Sequence, residues 1–393
     1  MGTRRSALEI QESAQQLLQG VSGRALGPEE TERSALELAA LLFELSEALM
    51  DGAERGRRAR LSRLLDDPRG QLSSVLLTDR VARDPGFRHA ADQLRYLVGR
   101  LGVPHFLHWF ERLQMALGAH AGCLAPELTG KLIARHIRAE VAGLVLPAEP
   151  RALAAFLNQR RTEGVQVNVN QLGEEVLGEA RAAQRLREYI ELLSRPEIET
   201  ISVKLSSIFS QVDLFAWESS QRLLAERLRQ IYRAALSSVK APTDLAPESS
   251  SRPPATRSKL VYLDMEAYRD LRFTVSLFQR ILDEPEFAQL SAGLVLQAYI
   301  PESADLQTEL TIWALERRRR GGAPLRLRIV KGANLAAERV QCARLNWTLP
   351  IYASKAEVDA NYKRMLFAGT DPAHAEALQL GIASHNIFDL ALG

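Results

Sequence analysis

"RLRIVKGANL", residues 326–335, decides the fold. Aliphatic and basic residues alternate up to Val330, and the run then stops at Lys331, Gly332, Ala333 and Asn334. Alternation of period two marks a strand. A glycine just past the strand lets the backbone come close to a ligand. The stretch reads as a strand delivering positive charge and open backbone to something bound at its C-terminal end. Arg328 and Lys331 fall on alternate faces if the strand is regular.

Six further short β-rich runs occur: "VQVNVNQL" (165–172), "IETISVKLSS" (198–207), "KLVYLDME" (259–266), "GLVLQAY" (293–299), "LPIYAS" (349–354) and "LQLGIASHN" (378–386). Helical patterns such as "EAYRDLRFTVSLFQRILDE" (266–284) separate them. Strand–helix alternation predicts a parallel sheet with right-handed crossovers. Neither G-x-G-x-x-G nor a P-loop occurs, so seven such repeats favour a (β/α)8 TIM-type barrel over a doubly wound sheet. Residues 237–259, "SSVKAPTDLAPESSSRPPATRSK", are Ser- and Pro-rich and read as a loose insert.

Ahead of this region, residues 1–160 read as an all-helical N-terminal domain or arm, and 161–393 as the barrel. Leu38, Leu41, Leu42, Leu45 and Leu49 recur at helical spacing, as do Leu132, Ile133, His136, Ile137 and Val141. His105 and His108 have the i, i+3 spacing of a helical metal site, but no third ligand is in view and no metal is expected.

Composition narrows the class. A net charge of +2, 46% hydrophobic and 25% charged residues describe an ordinary globular chain with no field favouring nucleic acid or anionic lipid. Two cysteines, Cys123 and Cys342, lie too far apart for a disulfide framework and suit a reducing compartment. The first residues lack the apolar core of a signal peptide, and no run is long enough to span a membrane. A cytoplasmic protein is expected.

Chemistry in such a barrel sits at the C-terminal ends of the strands. The residues there are Asn170 and Gln171; Lys204, Ser206 and Ser207; Asp264 and Glu266; Gln297 and Tyr299; Arg328, Lys331 and Asn334; Ser354 and Lys355; and Ser384, His385 and Asn386. Any one of them could be a solvated strand tip. Together they form a charged mouth that needs mutual pairing or a polar ligand, and the excess of cations favours an anionic one.

The motifs "LGEEVLGEA", "SVKLSSI", "LDMEAYRD", "FQRILDEPEF", "GLVLQAYIP", "RIVKGANLAAERV", "KAEVDANYKRML" and "GIASHNIFD" occur in this order. From about residue 72 onward the chain resembles the proline dehydrogenase domain of the bifunctional proline utilization A flavoenzymes. The resemblance implies a distorted (β/α)8 barrel that holds FAD, oxidises L-proline to Δ1-pyrroline-5-carboxylate and passes electrons to a quinone at the membrane surface. It implies catalytic roles for Lys204, Asp264 and Arg328, with Lys204, Asp264 and Asn334 facing the substrate. Asp264 is expected to pair with Lys204 or with the substrate amine. For FAD, the matching positions are Gln297, Arg328, Val330, Lys331, Gly332, Ser354, Ser384, His385 and Asn386. Asn334 stands where many members carry a tyrosine, and Ser354 where threonine is common.

The family's eighth strand and last helix, with a Y-x-x-R-R motif gripping the proline carboxylate, have no counterpart in this sequence, nor does the aldehyde dehydrogenase domain. Weak proline oxidation by residues 1–393 alone is therefore expected. A flavin- or partner-binding role without turnover is one alternative. A Schiff-base lyase using Lys204 or Lys331 is a more remote one. The helical arm could mediate contacts between copies of the chain. A peripheral position at the inner membrane would suit the quinone.

Overall fold

The computed structural model describes residues 5–24, 26–83, 87–122, 124–141, 146, 148–171, 176–237 and 258–393. Cys123, residues 172–175 of the first quoted motif and nearly all of the Ser/Pro-rich insert lie outside them. The chain divides into two units: residues 1–16 with 41–153, and residues 17–40 with 154–393.

The first unit is helical. Leu77, Ala90, Leu94, Leu97, Ala119 and Ile133, contributed by four helices, form its buried cluster. Asp67 is a buried carboxylate whose oxygens accept the backbone N–H groups of Gly70, His105 and Phe106. Burial works against its charge, but these three donors outweigh it and hold the carboxyl below its ordinary pKa. His105 and His108 serve this local architecture. The backbone N–H of His108 donates to Glu111 at 3.0 Å, and its ring lies 3.2 Å from Arg63. Among the described residues no group of three metal-ligating side chains occurs.

In the second unit, six strands form one parallel sheet in chain order: β1 (Asn168–Asn170), β2 (Thr200–Val203), β3 (Leu260–Leu263), β4 (Ala292–Gln297), β5 (Leu325–Val330) and β6 (Leu378–Ile382). Helices Glu179–Ser194, Trp217–Ser237, Leu271–Leu282, Ser303–Arg319 and Lys355–Thr370 supply crossovers. Each presents an apolar face, as a crossover must. Ile201, Val203, Val261, Leu263, Leu294, Leu296, Leu325, Leu327 and Ile329 are each at most 1% exposed. They occupy one side of the sheet, the side the helices cover.

Side chains alternate along a strand, and partners in parallel register point the same way. The opposite face therefore follows from the ladder. One row across the sheet reads Asn170, Ser202, Tyr262, Gly293, Arg326 and Gln379. Two residues further on, Val295, Arg328 and Gly381 form the next row. One side of the sheet is aliphatic and the other largely polar.

The sequence reading placed a strand at 349–354, and the structure does not. β5 pairs directly with β6 from Leu325↔Leu378 to Ile329↔Ile382, so its hydrogen-bonding edge is already taken. Pro350 lacks an N–H, and Ser354 already caps the following helix. One strand-like bond survives, from Tyr352 N–H to the Tyr299 carbonyl at 2.8 Å. Among the described residues the sheet has six strands rather than seven and is not closed, with β1 and β6 at its edges.

Candidate active site

The polar face converges on Asp264, just past β3. One carboxylate oxygen accepts the Arg328 guanidinium and also the Ser202 hydroxyl at 3.2 Å; the other accepts the Asn170 amide at 3.3 Å. β5 brings Arg328 there by its register opposite Val295 and Gly381. The guanidinium lies 4.7 Å above the Tyr262 ring, a cation–π seat. Burial raises the Tyr262 phenol, against the nearby Arg326 and Arg328 charges. Gly293 makes room for that ring, since a Cβ there would lie 2.3 Å from it.

Lys204 pairs with Glu266 at 3.8 Å, and Ser206 also donates to Glu266. The expected pairing of Lys204 with Asp264 is not formed, because Arg328, Ser202 and Asn170 occupy that carboxylate. Asn334 donates to the Glu266 carbonyl at 2.8 Å, so it faces the same end of β3. Asp264 and Glu266 line a small pocket with Leu205, Ser206, Arg269 and Phe273.

Gln297, 2% exposed, donates weakly to the Met265 and Glu266 carbonyls at 3.4 and 3.3 Å. Its carbonyl oxygen is buried without a partner, as is the Tyr299 hydroxyl. Burial and the Glu338 charge push the Tyr299 phenol up to about 12. Gly332 has φ +130, and a Cβ there would lie 2.4 Å from the Tyr299 ring; only glycine fits this position. Val330 ends β5, half-buried on the polar face.

Lys331 turns away from the Arg328 centre. Its ammonium contacts Asp359 at 2.5 Å and the buried Asp389 at 2.8 Å. Burial works to lower its pKa, but these two hydrogen bonds outweigh it and hold the group above its ordinary value. Lys355 shares Asp359. Ser384 donates to Asp389 at 2.7 Å and accepts the Asn386 N–H at 3.0 Å. Ser354 forms a capping box with Glu357, and Asn386 caps the helix Ile387–Leu392. Both side chains thus have a local task. His385 is exposed beside them.

The sequence reading missed Ser202, Tyr262, Asp359 and Asp389. Period two backward from Lys204 and Asp264 would have found the first two. The i, i+4 spacing from Lys355 signals Asp359, and nothing local signals Asp389.

A family model described as "Proline dehydrogenase" matches residues 154–393. The chain belongs to the proline dehydrogenase family. The proline utilization A of Corynebacterium freiburgense is 39% identical over 72% of this chain, with a TM-score of 0.58. That of Bdellovibrio bacteriovorus is 21% identical over 98%, with a TM-score of 0.65, and a mutant of the Bradyrhizobium japonicum protein is 16% identical over 100%, with a TM-score of 0.53. The last two show the fold alone. The chain spans 27%, 35% and 38% of the length of these three proteins. No curated protein matches the chain. Among the described residues no helix of this proline dehydrogenase family member is long and apolar enough to cross a membrane.

Proposed function

We propose that the chain is an FAD-dependent proline dehydrogenase that oxidises L-proline to Δ1-pyrroline-5-carboxylate. Its electrons pass on to a quinone, and it works from the cytoplasmic side as a peripheral partner of the membrane. The sheet is read as six strands of the family's (β/α)8-type barrel, with its polar face inward. The observation that carries this reading is the Arg328–Asp264 pair at the centre of that face, with Lys204 and Glu266 beside it.

The residues suit the cofactor. Gln297 keeps a buried, unpartnered acceptor, and the Tyr299 hydroxyl is likewise unpartnered. Gly332 exposes backbone at the end of β5. Arg328, Gln297, Val330, Lys331 and Gly332 would hold FAD, with Ser354, Ser384, His385 and Asn386 around the end of β6. When bound, FAD supplies the hydride acceptor.

Proline is a zwitterion, so its site needs a cation for the carboxylate and acceptors near the nitrogen. Lys204 offers the cation, at the mouth beside Glu266. Asp264 fixes Arg328, which would supply positive charge to a reduced cofactor held beside it. The ring C–H next to nitrogen breaks as a hydride, a C=N bond forms, and the amine proton leaves to solvent. No nucleophilic side chain is required, and the work of the protein is positioning and charge.

The test is the visible spectrum of the purified chain before and after anaerobic addition of proline. Flavin bands that bleach support the reading. Flavin bands unmoved by proline reduce it to cofactor binding without turnover. A chain that takes up no FAD sinks it.

A further inference from the structure

We infer that Ser202 is a positioning residue that fixes the guanidinium of Arg328. The inference bears on catalysis only through the reading of Arg328 as the cation beside the cofactor. Ser202 has no exposure to solvent and lies in the middle of β2. A hydroxyl has one proton to donate and two lone pairs to offer, and here all three are used. It accepts the Asn168 amide at 2.9 Å and the Arg328 guanidinium at 3.2 Å. It donates to Asp264 at 3.2 Å.

A guanidinium only donates and a carboxylate only accepts, so the Arg328 and Asp264 contacts have a defined direction. The Asn168 amide nitrogen and the Arg328 guanidinium have no lone pair free to accept, so the hydroxyl proton goes to Asp264. Arg328 is then held at one nitrogen by two oxygens, Ser202 Oγ and Asp264 Oδ1, and from below by the Tyr262 ring. Without Ser202 the guanidinium keeps the freedom to pivot over the Tyr262 ring about its one hydrogen bond to Asp264. The second oxygen, on a different strand, removes that freedom. Four strands meet at this one hydroxyl, because Asn168 is on β1, Asp264 follows β3 and Arg328 is on β5.

Two measurements test the inference. The first is a double-mutant cycle in urea unfolding with Ser202→Ala, Arg328→Met and the double variant. Ser202→Ala removes the hydroxyl that Asn168, Arg328 and Asp264 share, and the cycle separates its coupling to Arg328 from the rest. Coupling of about tenfold in the unfolding constant is expected, and effects that multiply within about twofold would overturn the inference. The second uses the flavin-loaded wild type and Ser202→Ala. The midpoint potential of the bound flavin is expected to shift by about 30 mV, a tenfold change in relative affinity for the two redox states of a two-electron couple. With it, kcat should fall about tenfold while the KM for proline moves less. Lowered stability with an unchanged potential and unchanged kcat would reduce Ser202 to a structural residue. A wild type that takes up no FAD would defeat the functional reading, and the cycle alone would still decide whether Ser202 holds Arg328.

Discussion

Asp264 and Arg328, 64 residues apart in the chain, pair across the intervening strand β4. At their level β4 carries the apolar Val295, with Gly293 one level before it beside Tyr262, so no polar side chain of β4 at these two levels competes for either. The pair places a fixed positive charge on a fixed anion at the centre of the polar face. Removing the anion should therefore harm chemistry more than cofactor retention. Asp264→Ala is expected to lower turnover per bound flavin by about a hundredfold, two charge-assisted hydrogen bonds of about 1.5 kcal/mol each. Flavin content should change far less. Loss of flavin with normal turnover of the remainder would contradict the role.

Lys204 stands half-exposed at the mouth, with Glu266 as its ionic partner. If it receives the proline carboxylate, Lys204→Met should raise the KM for proline by about tenfold to a hundredfold, one charge-assisted contact. The flavin spectrum should be unchanged. The same variant should bind an uncharged five-membered cyclic ether, which lacks the carboxylate, as well as the wild type does. An equal loss for both ligands would show that the lysine shapes the pocket rather than reading the carboxylate.

Much of this site was legible in the sequence, and the omissions have physical causes. β5 is legible from period two and β2 and β3 as short β-rich runs, with Lys204, Asp264 and Arg328 at or near their ends. Ser202 and Tyr262 lie inside their strands, where a side chain on the polar face has no sequence signal of its own beyond its place two residues before Lys204 and Asp264. The run at 349–354 is apolar enough for a strand, but its failure depends on a distant event, the pairing of β5 with β6. Asp389 is invisible locally because its value comes from where Lys331 turns after Val330. Ser354 and Asn386 were read toward the cofactor, yet S-x-x-E from Ser354 to Glu357 already spelled a capping box.

The Lys331 cluster has a pH signature of definite sign. Hydrogen bonds to Lys331 and Lys355 overcome the effect of burial and hold the Asp359 carboxyl below its ordinary 3.8. Its contribution to stability is present above that value and lost as pH falls through the lowered folded pKa. Lys331 is held above its ordinary 10.5, so its contribution is present below that value and lost as pH rises through the raised one. Urea midpoints should thus be flat through neutrality and fall at both ends. Lys331→Met should lose the alkaline fall and weaken the acid one. An unchanged alkaline limb would assign it to other groups.

Gly332 combines two constraints. Its φ of +130 suits glycine alone, and a Cβ would lie 2.4 Å from the Tyr299 ring. Gly332→Ala should cost about 1–3 kcal/mol in urea unfolding from backbone strain. It should also lower flavin content, since the displaced loop carries Lys331 and Asn334. Stability lost with full flavin retention would remove this loop from the cofactor site.

Gly293 tests the seat beneath Arg328. A Cβ there would lie 2.3 Å from the Tyr262 ring, and that ring is what the guanidinium rests on at 4.7 Å. Both residues sit in the interior of strands, so the backbone has little freedom to yield. Gly293→Ala should therefore push the ring rather than the sheet, at about 1–3 kcal/mol of overpacking, and disturb Arg328 without touching it. Tyr262→Leu alone removes the seat but makes room. The double variant should consequently be more stable than the sum of the two single losses predicts, because the leucine vacates the space the methyl needs. Simple additivity in urea unfolding would mean that the alanine methyl is accommodated elsewhere, and that Gly293 is not what lets Tyr262 lie under the arginine.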